Sequence, residues 1–311
     1  MRVFVAGASG AIGRPLMRQL VAAGHEVTGT TRRPERAEEI RAAGATPVVC
    51  DVFDLPALEE AVAEATPEVV VNQLTSLPED FNPRKMDYGP TNRVRREGGG
   101  NLMRAALATG TPRYITQSIA FIYAPEGDWV KDEEAAPFEG APPPFDEGVR
   151  VMLAHERDVL GTEGIEGLVL RYGQFYGPGT YYAPGTGSIA RQVEKRMFPV
   201  IGPGTGMSSF IHVEDAAGAT VAALDHGSPG IYNITDDEPA PVREWLPVYA
   251  EALGAKPPRH VPAWLARLLG GRSAILFGTE MRGASNAKAK RELGWQPRYP
   301  SWGQGFREAL D

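Results

Sequence analysis

A single cysteine, Cys50, stands among 311 residues, so no internal disulfide can form and a cysteine-based metal site is excluded. No uninterrupted apolar run approaches the ~18 residues of a membrane span, so no membrane partner is expected. The five histidines show no metal-ligand spacing, such as two on one helical face with a third partner, and no metal is expected. Positive charge is also in short supply. The 32 Lys and Arg are outnumbered by 39 Asp and Glu, giving a net charge of −7, which argues against a nucleic-acid backbone as partner. What is present, 42% hydrophobic and 23% charged residues, suffices to bury a core. Met1 leads directly into the apolar run Val3–Ala6 rather than into a signal peptide, so a cytoplasmic protein is the expectation.

Short apolar runs rich in Val and Ile recur at Val3–Ala6, Glu26–Gly29, Thr46–Val49, Glu68–Asn72, Arg113–Thr116 and Leu168–Arg171, too short for helices and suited to buried strands. Helical patterns lie between them. The clearest carries Ile12, Leu16 and Leu20 four apart, with Pro15 tolerated in the first turn; Leu55–Ala65 and Asn101–Ala108 read the same way. Such alternation predicts an α/β fold of Rossmann type, a doubly wound parallel sheet covered by helices on both faces. Gly and Pro then crowd Gly177–Gly187 and Gly202–Gly206, as loops near a site do. A helix (Val213–Leu224) and a strand (Gly230–Thr235) return to the sheet, and short helices dominate from Pro239 onward. The expected division is a dinucleotide-binding domain over residues 1–170 plus about 211–235, and a small, mainly helical substrate lobe over about 171–210 and 236–311.

Gly7, Gly10 and Gly13 follow the first strand and open the first amphipathic helix. The turn Gly7-Ala8-Ser9-Gly10-Ala11-Ile12-Gly13 suits a pyrophosphate, because it bends sharply, lets backbone approach closely and ends in free helix N–H groups. Cofactor choice is read after the second strand. A carboxylate there would bond the ribose hydroxyls of NAD, whereas Thr30-Thr31-Arg32-Arg33-Pro34 offers two guanidinium groups to a 2′-phosphate. NADP is therefore expected ahead of NAD. Asp51, ending the third strand, is suited either to the adenine amino group or to capping the turn that follows.

With these residues in place, the chain resembles an extended short-chain dehydrogenase/reductase of the NAD-dependent epimerase/dehydratase group. The resemblance rests on the Gly7–Gly13 turn, Asp51-Val52, Val71–Thr75, Gln117–Tyr123, Arg171–Pro178, Ile211–Ala216, and the late segments Ser285–Lys288 and Glu292–Pro297. It implies a small-molecule substrate held beside the nicotinamide, with Val52, Leu74, Thr75 and Tyr172 along the coenzyme and Gln174 toward the substrate. His212 either touches substrate or orders its loop. Ser208 and Ser209 stand where the group often has an arginine for a nucleotide-sugar phosphate, and Arg282 is the candidate substitute.

The group's active site holds Tyr-x-x-x-Lys on a long helix, with a Glu four residues later, so that the ammonium lowers the phenol's pKa for proton transfer. Counting back from Glu156 places Met152 at the Lys position and Gly148 at the Tyr position. No Tyr anywhere in the chain is followed four residues later by Lys. Ser118 and Tyr123 are the remaining hydroxyls. Ser118 would polarise a carbonyl or bond to backbone, and Tyr123 would donate a proton or pack at the sheet edge; the group's spacing before Tyr123 points to Ile119 rather than Ser118. His155 is expected to be partly exposed, and Trp295 to pack in the lobe. The expected activity is an atypical NADP-dependent oxidoreductase or epimerase-like enzyme acting on a small carbonyl or hydroxyl compound. A catalytically silent NADP sensor and a redox-neutral epimerase or dehydratase stand beside it, and a homodimer is allowed.

Overall fold

The computed structural model describes residues 1–78, 80–81, 87–308 and 310. Seven strands form the main sheet: β1 (Arg2–Ala6), β2 (Glu26–Thr31), β3 (Thr46–Val49), β4 (Val69–Asn72), β5 (Arg113–Ile119), β6 (Glu166–Tyr172) and β7 (Gly230–Ile234). Their spatial order is β7-β6-β5-β4-β1-β2-β3, and each neighbouring pair runs parallel. The chain winds outward from β1 to β3, returns, and winds the other way from β4 to β7. The reversal leaves a crevice beyond the C-terminal ends of β1 and β4, where open α/β sheets bind ligands.

Side chains along a strand alternate between faces, and the two faces are covered separately. Val3 and Val5 join Leu16, Met17 and Leu20 of α1 (Gly13–Ala22) in one apolar cluster. Phe4 and Ala6 point the other way, against Leu58 and Val62 of α2 (Leu55–Ala65) and Leu102 and Ala106 of α3 (Gly99–Ala108). Trp295 belongs to the first of these clusters, beside Ala289 and Leu293, and not to the lobe where the sequence placed it. A third cluster, rich in aromatics, gathers Tyr176, Tyr182, Phe210, Trp245, Tyr249 and Phe306 around the Val242–Ala252 helix. Its rings meet mainly edge to face, as at Phe210 and Trp245 (centroids 5.2 Å apart), the arrangement that ring quadrupoles favour.

The long helix α4 (Phe145–Gly161) is fastened to the sheet by a buried ion pair. Arg171 of β6 donates to Glu156 from Nη2 to Oε2 at 2.6 Å and from Nε to Oε1 at 2.9 Å, with both side chains under 5% exposed (3% and 4%). Ser118 of β5 donates to the same Oε1 at 2.6 Å. Arg171 also donates to the Tyr123 hydroxyl at 3.2 Å, which in turn donates to Asn233 Oδ1 of β7 at 2.7 Å. Three adjacent strands thus hold one side-chain network. A buried charge left without its partner costs about 3–5 kcal/mol. Glu156→Gln is accordingly expected to lower unfolding free energy by about that amount in denaturant melts, and a loss under about 1 kcal/mol would show that the pair does not anchor α4.

Candidate functional site

The glycine turn lies in the crevice at the end of β1. Gly7 has φ +90°, and a Cβ there would sit 2.6 Å from the Gln73 carbonyl oxygen on the neighbouring β4 exit. Only glycine allows that approach. The Gly10 N–H donates to Gly7 O at 3.1 Å, which tightens the turn, and a Cβ on Gly13 would meet Gly7 O at 2.3 Å. Helix α1 then starts with no side-chain cap; the Arg14 N–H donates to the Gly10 carbonyl at 3.1 Å and Pro15 has none, so the N–H groups facing an anion are those of Ala11 to Gly13. Gly10 is exposed, while Gly7, Ser9 and Ala11 are half-buried and Ile12 is buried. A Cβ built on Gly179 of the glycine-rich loop would lie 4.0 Å from Ala11 Cβ, so that loop overhangs the turn. A narrow backbone cradle with an uncapped helix start fits a dinucleotide pyrophosphate.

Arginines gather at one edge of this cradle. Arg32 and Arg33 are exposed, and the Arg33 N–H donates to Thr31 Oγ1 at 3.1 Å. Thr31 Oγ1 lies 3.3 Å from Ser9 Oγ. The sequence reading missed two further members: Arg14 Nε and Arg36 Nη1 each donate to the Ser9 carbonyl at 3.3 Å. They converge only because β2 lies beside β1. Both share Glu39, at 3.9 and 3.8 Å.

Asp51 is exposed, and its Oδ1 accepts the Phe53 N–H at 3.1 Å. Val52 is buried, and a Cβ on Gly98 would lie 2.8 Å from its Cγ2. Leu74 is held on the crevice side of β4 by both backbone groups: its N–H donates to Asn72 Oδ1 at 3.1 Å, and its carbonyl accepts from Gln117 Nε2 at 2.8 Å. Thr75 beside it is exposed.

Several side chains chosen for the reacting end are committed elsewhere. Ser118 is 4% exposed and gives its proton to Glu156, and burial pushes the Tyr123 phenol up to about 12 while its proton goes to Asn233. The Tyr172 hydroxyl points into the core, accepting from Gln73 Nε2 at 3.0 Å and bonding Thr220 Oγ1 at 2.7 Å. His212 caps the Val213–Ala222 helix by accepting the Glu214 N–H at Nδ1 (3.2 Å), with its ring against Tyr176 and Tyr299; it orders the loop. Arg282 stacks on Trp129 at 3.9 Å and donates to the carbonyls of Glu280 and Pro125, which fixes it to its own neighbourhood. Gln174 is half-buried, its Oε1 accepting from Tyr182 at 2.9 Å. His155 is half-buried, with Nε2 2.9 Å from Thr116 Oγ1, and burial holds its pKa below the usual histidine value.

The positions where the resemblance calls for Ser, Tyr and Lys line an apolar wall. Met152 packs with Ile122, Phe145, Val149 and Leu276, and Ile119 and Phe277 lie against the same cluster. Gly148 is buried, yet a Cβ built on it meets no atom within 4 Å. An unfilled space therefore opens where a tyrosine side chain would project. None of Ile119, Gly148 and Met152 can carry a proton. Among the described residues, no group of three or more His, Cys, Asp or Glu is placed to hold a metal ion, and no described helix is long and apolar enough to cross a membrane.

A family model described as the NAD dependent epimerase/dehydratase family matches residues 3–235. The chain is 45% identical to a Streptomyces protein named 3-diazoavenalumate denitrifying reductase, over 98% of this chain and 99% of that one. Its fold is similar to that of Thermus thermophilus UDP-glucose 4-epimerase in complex with NAD, with a TM-score of 0.75 and 26% identity, covering 100% of this chain and 98% of the other. A human epimerase family protein with NADPH gives a TM-score of 0.75 at 22% identity, covering 100% and 99% of the two chains, a likeness of fold alone. With its parallel sheet, glycine turn and matched length, this chain belongs to the NAD dependent epimerase/dehydratase family and is an oxidoreductase-type enzyme that depends on a nicotinamide dinucleotide.

Proposed function

We propose that the protein is an NADPH-dependent reductase whose hydride acceptor takes no proton from the enzyme, and that its substrate class is an aromatic acid bearing a diazo group. The observation that carries this reading is the apolar wall made by Ile119, Gly148 and Met152, where carbonyl chemistry would require proton donors. Reduction of a carbonyl develops an alkoxide, and losing general acid help there costs roughly 10²–10⁴ in rate. An arenediazonium makes no such demand. Hydride supplied by the bound reduced coenzyme gives the arene C–H bond, while N2 leaves with the electron pair of the broken C–N bond, so no proton enters the balance. An apolar wall also favours this change, since it raises a cationic acceptor relative to the neutral arene it becomes. The Streptomyces relative's name, a denitrifying reductase of 3-diazoavenalumate, supports the same class.

The chain's own residues divide the remaining work. Gly7, Ser9, Gly10, Ala11, Ile12 and Gly13 would hold the pyrophosphate, and Asp51 and Val52 the adenine end. Leu74 and Thr75 would lie along the ribose toward the nicotinamide. Arg32 and Arg33, joined by Arg14 and Arg36, would clamp the 2′-phosphate. The space at Gly148 would receive the aromatic ring, with Met152 and Ile119 excluding water behind it.

Purified protein supplied with NADPH is expected to consume it and release N2 with an arenediazonium carboxylate, above the uncatalysed rate, and to leave ketones, aldehydes and keto-sugars untouched. Turnover of a carbonyl compound with none of the diazonium would overturn the substrate class, and tight NADPH binding with no turnover would favour the sensor. Arg32→Ala with Arg33→Ala is expected to weaken NADPH binding about tenfold or more, from two lost charge-assisted contacts, and NADH binding little. Equal losses in calorimetry would refute the 2′-phosphate assignment.

A further inference from the structure

The turn between Tyr88 and α3 carries three arginines that are treated differently. Arg93 pairs with Glu97 at 2.9 Å, and Arg96 pairs with Glu147 at 3.4 Å. Arg95, between them, forms no ion pair among the described residues, although its Nε is enclosed without a hydrogen-bond partner. The two exposed cations thus have carboxylates, and the half-buried one has none among the described residues, the reverse of what solvation alone would select. Three residues earlier, on the same helical face, Asn92 is fully buried with Oδ1 and Nδ2 both unpartnered. Two neighbouring unsatisfied side chains, one of them cationic, are an expensive arrangement for a fold to keep without a ligand. Arg95 also falls in a π-helical turn, Val94–Gly98, directly after the helical turn that carries Asn92, a distortion frequent at functional sites.

We propose that Arg95, assisted by Asn92, is the anchor for a carboxylate on the substrate. Arg95 lines a cavity of about 120 Å3 with Val151, Ala154, His155 and Asp158 of α4, and Asp158 makes no ion pair with it. That is well above the ~10–15 Å3 that one water needs on this measure, so a carboxylate and its adjoining carbons fit. Gly148, Val151 and His155 are spaced i, i+3, i+7 on α4 and share a face, so the cavity lies about one helical turn, roughly 5 Å, from the open space at Gly148. Arg96 reaching Glu147 holds the arginine-bearing turn against that end of α4. An elongated aromatic acid spans the two places, ring at Gly148 and carboxylate at Arg95. Burial pulls the Arg95 guanidinium down to about 10, and the nearby Tyr88 phenol opposes this, as expected of a charge that waits for its counter-ion. The inference rests on the reductase reading only for the reacting group at the other end of the ligand.

The test is calorimetry on protein loaded with NADP+, using (E)-4-hydroxycinnamate and its methyl ester as probes. The acid is expected to bind about tenfold or more tightly than the ester, the difference a hydrogen-bonded charge pair makes. Arg95→Gln is expected to erase that preference while leaving NADP+ affinity and ester affinity unchanged, and Arg95→Lys to keep part of it. Asn92→Asp places a counter-charge beside Arg95 and gives the same loss of preference, so the question remains answerable even where Arg95→Gln does not fold. Equal binding of acid and ester by the parent protein, binding of neither, or a preference that survives both Arg95→Gln and Asn92→Asp overturns the anchor. Acid-selective binding without turnover of any diazonium acid supports the anchor and removes the reductase reading alone.

Discussion

The ion pair between Glu156 and Arg171 is the constraint on which the site's geometry depends. A carboxylate and a guanidinium taken out of water are tolerated only when each satisfies the other and their remaining hydrogen-bonding capacity is used. Here Ser118 and Tyr123 complete that requirement from one side, and Asn233 from the next strand. The arrangement has one solution for the position of α4 against β5, β6 and β7. It therefore fixes which residues of α4 reach the crevice: Gly148 and Met152, about two turns and one turn before Glu156, and Val151 and His155 on the adjoining stripe.

Those two consequences pull the site in one direction. The hydroxyls that carbonyl chemistry would have recruited are consumed in holding the helix, and the helix positions left at the crevice are a glycine and a thioether. The proposed coenzyme end is polar and edged by guanidinium groups, whereas the wall of the proposed reacting end, Ile119, Gly148 and Met152, is apolar. A hydride acceptor that starts cationic and ends neutral suits such a boundary. On the proposed reading, Arg95, packed against the same helix, would orient an anionic ligand, so that a charged tail and an uncharged reaction zone lie close together.

The fold was legible because its signals are local. The strands from β1 to β7 are short Val- and Ile-rich runs, and the glycine turn announces itself by position, directly between a strand and an amphipathic helix. The loss of the Tyr and Lys pair was legible too, since a spacing of four can be counted. The fate of Ser118 and Tyr123 was not. Their acceptors lie 38 and 110 residues away in sequence, and nothing near either residue reveals them. Arg14 and Arg36 were invisible for a similar reason: each finds the Ser9 carbonyl through the pairing of β1 with β2. Trp295 was misplaced because a large aromatic reports burial without naming the surface it packs on. The want of a partner at Arg95 is a property of three dimensions, for in sequence it is one arginine among three.

The central claim is that the enzyme delivers hydride without delivering a proton. The direct measurement is turnover of a diazonium acid with coenzyme deuterated at C4 of the nicotinamide, run in H2O and in D2O across neutral pH. The account predicts coenzyme deuterium in the product's new C–H bond, a slower rate with labelled coenzyme, and a solvent isotope effect close to unity with a flat pH profile. A product hydrogen drawn from solvent, or a large solvent isotope effect with a bell-shaped profile, would mean that a proton donor operates at this site and would contradict it.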